Sequence, residues 1–290
     1  MAVRYKSLGA FKAKAGDHLA KGPVALVLVE DKVEVASTVR HHMDLGFQTI
    51  LCFGSPEIDW PAQMPASVVR VDHPVWTQEA MVETLNTCID AAAEGVWLYY
   101  CYNAEYLFFP FCEHRTIGEL TGFLAEERRA SCLSYVVDLY AGDLGRHKSA
   151  VSLEDAHLDK SGYYALARAD AQGKHLDRQM NFYGGLRWRF EEHIPQRSRR
   201  IDRVGLFRVK PGLRMNSDHT LNDAEYNTYA CPWHNSATVA ICSFRTAKAL
   251  KRNPGSTYDI GTFWWHKSTR FDWHSQQLLD LGLMEPGQWF

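Results

Sequence analysis

Polar side chains follow a run of apolar and aromatic residues near the middle of the chain. Residues 96–101 have the composition of a strand that is buried on both faces of a sheet. Asn103 and Glu105 come shortly after this run, and Pro110 ends the stretch because it has no backbone N–H to donate. In open α/β sheets, ligands bind outside the carboxyl ends of the strands. We therefore expect a ligand site at Asn103 and Glu105; the alternative is a core strand that runs into a polar turn.

Three further side chains could transfer a proton. Asp138 follows a predicted strand at 132–137, and Asp218 and His219 lie together in a polar turn. A carboxylate or an imidazole in such a position can accept the proton of a substrate hydroxyl. The structural alternatives are that Asp138 caps a turn and that His219 is a satisfied structural histidine.

Two arginines follow a pair of glycines in the most basic part of the chain. Gly184 and Gly185 predict a tight turn, which Arg187 and Arg189 follow with one aromatic residue between them. On a strand, residues two apart point to the same face, so both guanidinium groups would converge on one anion. Arginine binds phosphate oxygens in a bidentate manner. The alternative is a solvated basic face.

The cysteines and the charge limit the function classes. Seven cysteines without a C-x-x-C pair predict reduced thiols and a cytoplasmic location. Cys231 and His234 have a C-x-x-H spacing, so a zinc-dependent hydrolase is a third interpretation, although a zinc site needs four such ligands. A net charge of −2 does not favour nucleic acid as a partner. We expect no membrane span and no secretion signal. The N-terminal segment, with its lysines, predicts a solvated tail that could touch an anionic surface such as the inner membrane.

The pattern of predicted elements indicates the fold class. Strands are expected at 24–29, 49–53, 67–71, 96–101 and 132–137. Helices are expected from capping boxes at Asp31 and Thr116 and from an N-cap at Thr77, and the first should pack through Val35, Val39 and Met43. This alternation predicts a mostly parallel sheet with helices on both faces.

The second half of the chain is less regular. Residues 141–182 are expected to be rich in loops with short helices, whereas 204–207 and 238–242 are strand candidates and a short helix is expected near Leu278. We expect one domain over 1–290, with an irregular, aromatic-rich C-terminal extension at 251–290.

Several short motifs occur in an order that resembles a known family. The chain resembles a bacterial branch of the family 2 glycosyltransferases, which have a Rossmann-like GT-A fold. The motifs are the acidic pair Glu30-Asp31, the helix end at 41–47, the turn at 54–57, Tyr102-Asn103-Ala104-Glu105-Tyr106-Leu107 at the family's "DADEFL", 137–140 at its "DmY", 184–189 at its "GGxRxR", Asp218-His219 at its late histidine and 243–245 at its "HFK".

The resemblance implies transfer of a sugar from a nucleotide-sugar donor to a glycan or polysaccharide acceptor. It places the donor-binding half at 22–140 and the acceptor half at 141–250. The residues that it implies for substrate binding are Glu30, Asp31, Tyr102, Asn103, Glu105, Gly184, Gly185, Arg187 and Arg189. The residues that it implies for catalysis are Asp138, Asp218 and His219.

The chain departs from the family where a metal ion would be held. The family's DxD pair offers oxygen ligands to a divalent cation, but these positions are Tyr102 and Ala104 here. We therefore expect no metal cofactor and propose that Arg187 and Arg189 neutralise the donor's diphosphate instead. The alternative function is that of a non-catalytic GT-A-like protein that binds a glycan, a nucleotide or a partner protein.

Overall fold

The chain divides into two compact units. The structure, a computed structural model, describes residues 3–61, 64, 65 and 67–289. The first unit comprises Met1–Tyr106, His114–Leu133 and Val204–Asn227, and the second comprises Leu107–Glu113, Ser134–Arg203 and Thr228–Phe290.

The strands of the described residues form one large sheet and two small ones. In chain order they are β1 (Val3–Tyr5), β2 (Val24–Val29), β3 (Thr49–Gly54), β4 (Val68–Asp72), β5 (Trp97–Tyr102), β6 (Glu105–Phe108), β7 (Ser131–Asp138), β8 (Tyr140–Ala141), β9 (Ala156–Asp159), β10 (Tyr164–Ala169), β11 (His175–Tyr183), β12 (Asp202–Arg208), β13 (Val239–Ser243) and β14 (Ser268–Arg270). The large sheet has the order β1-β4-β3-β2-β5-β12-β7-β13-β6. Its pairs are parallel from β1 to β5 and between β7 and β13, whereas β12 is antiparallel to β5. The predicted mixed α/β class with a mostly parallel sheet is therefore confirmed.

Eight α-helices accompany these strands in the described part of the chain. They are α1 (Leu8–Lys12), α2 (Ala15–Leu19), α3 (Val35–Asp44), α4 (Gln78–Ala91), α5 (Ile117–Glu126), α6 (Gly185–Arg189), α7 (Arg245–Arg252) and α8 (Ser275–Asp280). The predicted N-cap at Thr77 and the capping box at Thr116 are confirmed, since Thr77 accepts from Ala80 N–H and Thr116 shares reciprocal bonds with Glu119. No helix among the described residues has the length and apolar character that a membrane crossing requires.

The start of α3 differs from the predicted capping box. The helix begins at Val35, after Glu34 in a left-handed conformation with φ of 54°, and no side chain caps it. The Asp31 carboxylate instead accepts a hydrogen bond from Val33 N–H at 2.9 Å. Asp side chains often close such local turns two residues on, and here that bond competes with the cap. The predicted apolar face is confirmed at Val35 and Val39, which are both buried.

The N-terminal segment is part of the first unit, so the predicted solvated tail is wrong. β1 pairs in parallel with β4, and the apolar side chains of α1 and α2 join the core of this unit: Leu8, Phe11, Ala15 and Leu19. Their spacing of three and four residues is a helical pattern that the many lysines obscured. The lysines themselves remain exposed: Lys6, Lys12, Lys14 and Lys21.

The segment 141–182 is irregular over 142–155, as predicted, but strands and not short helices form its remainder, so the predicted helices are wrong. β8, β9 and β14 form a three-stranded sheet, and β10 and β11 form an antiparallel hairpin in which Tyr164 pairs with Tyr183. β10 has no buried residue, so its sequence lacks the alternation that reveals a half-buried strand.

Candidate functional site

Asn103 connects the carboxyl ends of β2 and β5 in the first unit. Its side chain is fully buried; Oδ1 accepts from Glu30 N–H at 2.9 Å, and Nδ2 donates to Asp31 Oδ1 and to Val33 O, both at 2.8 Å. A buried amide whose donors and acceptor are satisfied in this way fixes the conformation of the loop around it. The structure therefore brings together three of the predicted substrate-binding residues: Glu30, Asp31 and Asn103. We call this arrangement the Asn103 crevice, after the position outside the carboxyl ends of parallel strands where open α/β sheets bind ligands.

Sequence analysis missed an aromatic residue at this crevice. The indole Nε1 of Trp76 donates a hydrogen bond to Glu30 O at 2.9 Å, yet the side chain is 57% exposed. An anchored but exposed ring can stack on a flat ligand. The available signal was its position four residues after the end of β4 and directly before the N-cap of α4.

Tyr102 and Glu105 hold the turn after β5. Glu105 is fully buried, and its Oε2 accepts from Tyr102 N–H at 2.8 Å, while the Tyr102 ring packs in the core of the unit. Between them, Ala104 has φ of 61° and donates its N–H to Thr38 Oγ1 at 2.8 Å. The bond from Tyr102 to the Glu105 carboxylate agrees with the alternative of a core strand that runs into a polar turn.

A second network lies at the start of α3. Ser37 Oγ is 2.5 Å from Glu34 Oε2 and 2.9 Å from the hydroxyl of Tyr106, and burial raises the pKa of that phenol. Together with Glu30 and Asp31, Glu34 makes residues 30–34 an acidic segment whose only positive side chain is Lys32. Such a segment suits a ligand that donates hydrogen bonds, such as the hydroxyls of a sugar or a ribose.

Asp138 lies at the end of β7 in the second unit. Its carboxylate is buried; Oδ2 accepts from Arg187 N–H at 3.3 Å, and Oδ1 lies 3.5 Å from Arg187 Nε. Desolvation raises the pKa of Asp138, and the Arg187 charge and the Thr246 hydroxyl oppose this shift. A carboxyl group with a raised pKa is a candidate for proton transfer, although buried ion pairs in protein cores show similar shifts.

Arg187 and Arg189 lie in helix α6 and not on a strand, which is the geometry that their expected convergence on one anion requires. Helical residues two apart do not share a face, and the two guanidinium groups accordingly contact different partners. Arg187 donates to Thr246 Oγ1 at 3.1 Å and to Arg200 O at 2.6 Å, whereas Arg189 donates to Asp159 Oδ1 at 3.1 Å. In this helix the two guanidinium groups do not converge on one anion. Their role in binding the donor's diphosphate stays a prediction that the local geometry does not support.

The two glycines allow close packing within the chain. Gly184 has φ of 154°, and a Cβ there would lie 2.2 Å from the Tyr163 ring; Gly185 has φ of 61°, and a Cβ would lie 3.0 Å from Asp138 Oδ2. These positions favour glycine, because any side chain would strain the backbone and would also clash with neighbouring atoms. The space beside these glycines, where a ligand was expected, is thus occupied by the side chains of Tyr163 and Asp138.

Asp218 and His219 lie in the first unit, whereas Asp138 lies in the second. Exposed Asp218 accepts from Thr220 N–H at 3.2 Å and from its hydroxyl at 2.6 Å. His219 has φ of 65°, and its Nδ1 is 2.8 Å from the hydroxyl of Tyr100, whose ring stacks on the imidazole. These contacts favour the structural alternative for His219.

Cys231, the first residue of the C-x-x-H pair, contacts a hydroxyl. Its Sγ is 3.7 Å from Ser236 Oγ. Within the described ranges, the structure has no group of three or more His, Cys, Asp or Glu side chains that could hold a metal ion. The expectation of a metal-independent protein stays a prediction.

No protein-family model matches the chain, and no curated protein matches it at a significant level.

Proposed function

We propose that the protein is a GT-A-type glycosyltransferase that transfers a sugar from a nucleotide-sugar donor to a glycan acceptor. The Asn103 crevice carries this proposal. It lies at the carboxyl ends of two adjacent parallel strands, β2 and β5, where open α/β sheets bind ligands. The order of the sequence motifs also supports it.

Trp76 and the acidic residues suit the nucleoside part of the donor. The exposed indole offers a flat apolar surface to a base, and its bond to Glu30 O fixes the ring beside the crevice. The carboxylates of Glu30 and Asp31 can accept hydrogen bonds from ribose hydroxyls. Exposed Lys32 supplies a positive charge in the same segment.

The test is a calorimetric titration of UDP and GDP into the wild type, the Trp76→Ala variant and the Trp264→Ala variant. Trp264 is a matched control, because it is 54% exposed but belongs to the second unit. Loss of one stacked base should weaken binding by about 1–3 kcal/mol, or roughly five- to 150-fold. Trp264→Ala should bind like the wild type.

Two results would reject this proposal. One is that neither nucleotide binds the wild type. The other is that Trp76→Ala and Trp264→Ala bind the nucleotide with the same affinity. Titrations with Mn²⁺ and with EDTA test metal independence separately: an affinity that EDTA abolishes and Mn²⁺ restores would show that a cation is bound.

Two observations favour the alternative of a non-catalytic binding protein. Arg187 and Arg189 each contact a buried carboxylate of their own unit, and the DxD positions are a buried tyrosine and an alanine whose N–H is bonded to Thr38. If UDP or GDP binds but UDP- and GDP-sugars are neither hydrolysed nor used with oligosaccharide acceptors, this alternative is correct.

A further inference from the structure

The strand β10 forms an open edge of the two-stranded sheet in the second unit. It pairs with β11 on one side, and no strand of the described residues pairs with its other side. The outer edge of β11 is covered by its own unit. There Ile201 N–H donates to Phe182 O at 2.9 Å, and Tyr229 N–H donates to the carbonyl of Arg178 at 3.0 Å. A further strand can therefore extend this sheet only at β10.

β10 lacks most of the features that block such pairing. Edge strands are usually protected by short length, prolines, lysines or bulges. β10 has six residues without proline or lysine, and its register with β11 shifts only at its end, between Ala167 and Ala169. Its one charged side chain, Arg168, is held by its own unit and donates to Asn181 Oδ1 at 2.9 Å and to Asp202 Oδ2 at 2.7 Å. By comparison, the edge strands β1 and β14 have only three residues each.

One face of this edge strand is apolar and exposed. Tyr164 is 45% exposed and Leu166 is 55% exposed, and strand residues two apart lie on the same face. The Tyr164 ring stacks on the ring of Tyr183 across the hairpin, with centroids 5.1 Å apart. Arg168 shares this face, since its guanidinium contacts Asn181, which pairs with Leu166. The strand thus presents a tyrosine, a leucine and an arginine in a row.

We propose that two copies of the chain associate through β10, which pairs in an antiparallel manner with β10 of a second copy. Such pairing has two-fold symmetry and joins the two hairpins into one four-stranded sheet. The register centred on Leu166 places this residue opposite its own copy and Tyr164 opposite Arg168 of the second copy. An apolar pair and cation–π pairs result, so the edge is complementary to itself. This proposal does not depend on the proposed function.

The size of the edge predicts the strength of the association. An interface built on six residues of each copy is small beside those of obligate dimers. The dimer should therefore be reversible, and its fraction should rise with protein concentration.

The test is sedimentation velocity of the wild type, Leu166→Lys and Tyr258→Lys at rising protein concentration. Leu166→Lys places two like charges opposite each other in the proposed sheet. Tyr258 is 89% exposed, belongs to the same unit and lies outside β10, so Tyr258→Lys is a matched control. Because both side chains are exposed, neither change should lower the melting temperature.

We expect the wild type and Tyr258→Lys to form dimers with the same dissociation constant. The dissociation constant of Leu166→Lys should be about fivefold higher or more, since an apolar pair is lost and two charges repel. A wild type that stays monomeric would overturn the proposal and leave this edge to a strand of another protein. If Leu166→Lys dimerises as well as the wild type, the copies associate through another surface and the proposal is wrong.

A cross-linking experiment tests the register. Residues directly opposite each other in an antiparallel pair have Cβ atoms about 4.5–5.5 Å apart, close to the separation that a disulfide needs. Under mild oxidation, Leu166→Cys should therefore form a disulfide with its own copy. The native cysteines are buried except Cys112, which is part-buried, so the wild type gives the background. Tyr258→Cys should not exceed this background; the pairing is wrong if it links as readily as Leu166→Cys, or if Leu166→Cys stays at background.

Discussion

At the scale of single residues, His42 makes the stability of the first unit sensitive to acid. The ring is fully buried in α3; one nitrogen, Nδ1, lies 2.7 Å from Thr38 O and therefore donates, and Nε2 faces Cys101 Sγ at 3.8 Å. Desolvation, with a smaller effect of His41, lowers the pKa of His42 to about 3. The folded protein thus holds this histidine neutral.

Acid should therefore destabilise the first unit. Below the unfolded pKa of about 6.5, the unfolded chain takes up a proton that the folded chain refuses, so stability falls with decreasing pH. The loss should reach about 2 kcal/mol between pH 7 and pH 5. Urea titrations at both pH values measure it. In the His42→Gln variant the free energy of unfolding should no longer show this decrease between pH 7 and pH 5, whereas in His41→Gln it should. The same decrease in the wild type and both variants would contradict the assignment to His42.

Gly184 gives a second prediction at this scale. An alanine there would place Cβ 2.2 Å from the Tyr163 ring, so Gly184→Ala should lower the free energy of unfolding by about 1–3 kcal/mol or more. Gly122 in α5 is a matched control, because a Cβ there meets no atom within 4 Å. Gly122→Ala should stabilise the helix by roughly 0.5–1 kcal/mol. Thermal unfolding distinguishes the two, and a stable Gly184→Ala protein would show that the turn can rearrange.

At the scale of elements, α3 tests how the first unit is held together. Val39 is buried between the helix and the sheet, and burying such a side chain is worth about 1.5–3 kcal/mol. Val39→Asp loses that energy and also buries a charge without a partner, so the unit should unfold. Circular dichroism and gel filtration measure the outcome, with Arg40→Asp on the exposed face of the same helix as the control. A soluble Val39→Asp protein that melts cooperatively would refute this packing.

The elements also show what the sequence could and could not predict. β2, β3 and β5 are continuous apolar runs bounded by turn residues, and buried parallel strands are recognised by that pattern. α6 was not predicted, because a five-residue helix with alternating Arg and Trp is too short to show its own period. The hairpin of β10 and β11 was missed because its strands have little buried surface. The polar residues at the end of β5 were found, but their bonds to the loop after β2 depend on tertiary contacts that no local pattern encodes.

At the scale of the whole molecule, the order of synthesis matters for the first unit. Its last strand, β12, pairs with β5 through Leu206 and Tyr99, although the two residues are far apart in the chain. At 5–20 residues per second, the roughly 100 residues between these strands take about 5–20 seconds to synthesise. During that time the nascent chain presents β5, with its tyrosines and tryptophan, as an open edge that other chains can pair with. Expression yield should therefore depend on translation speed and on chaperones that cover this edge until β12 is made.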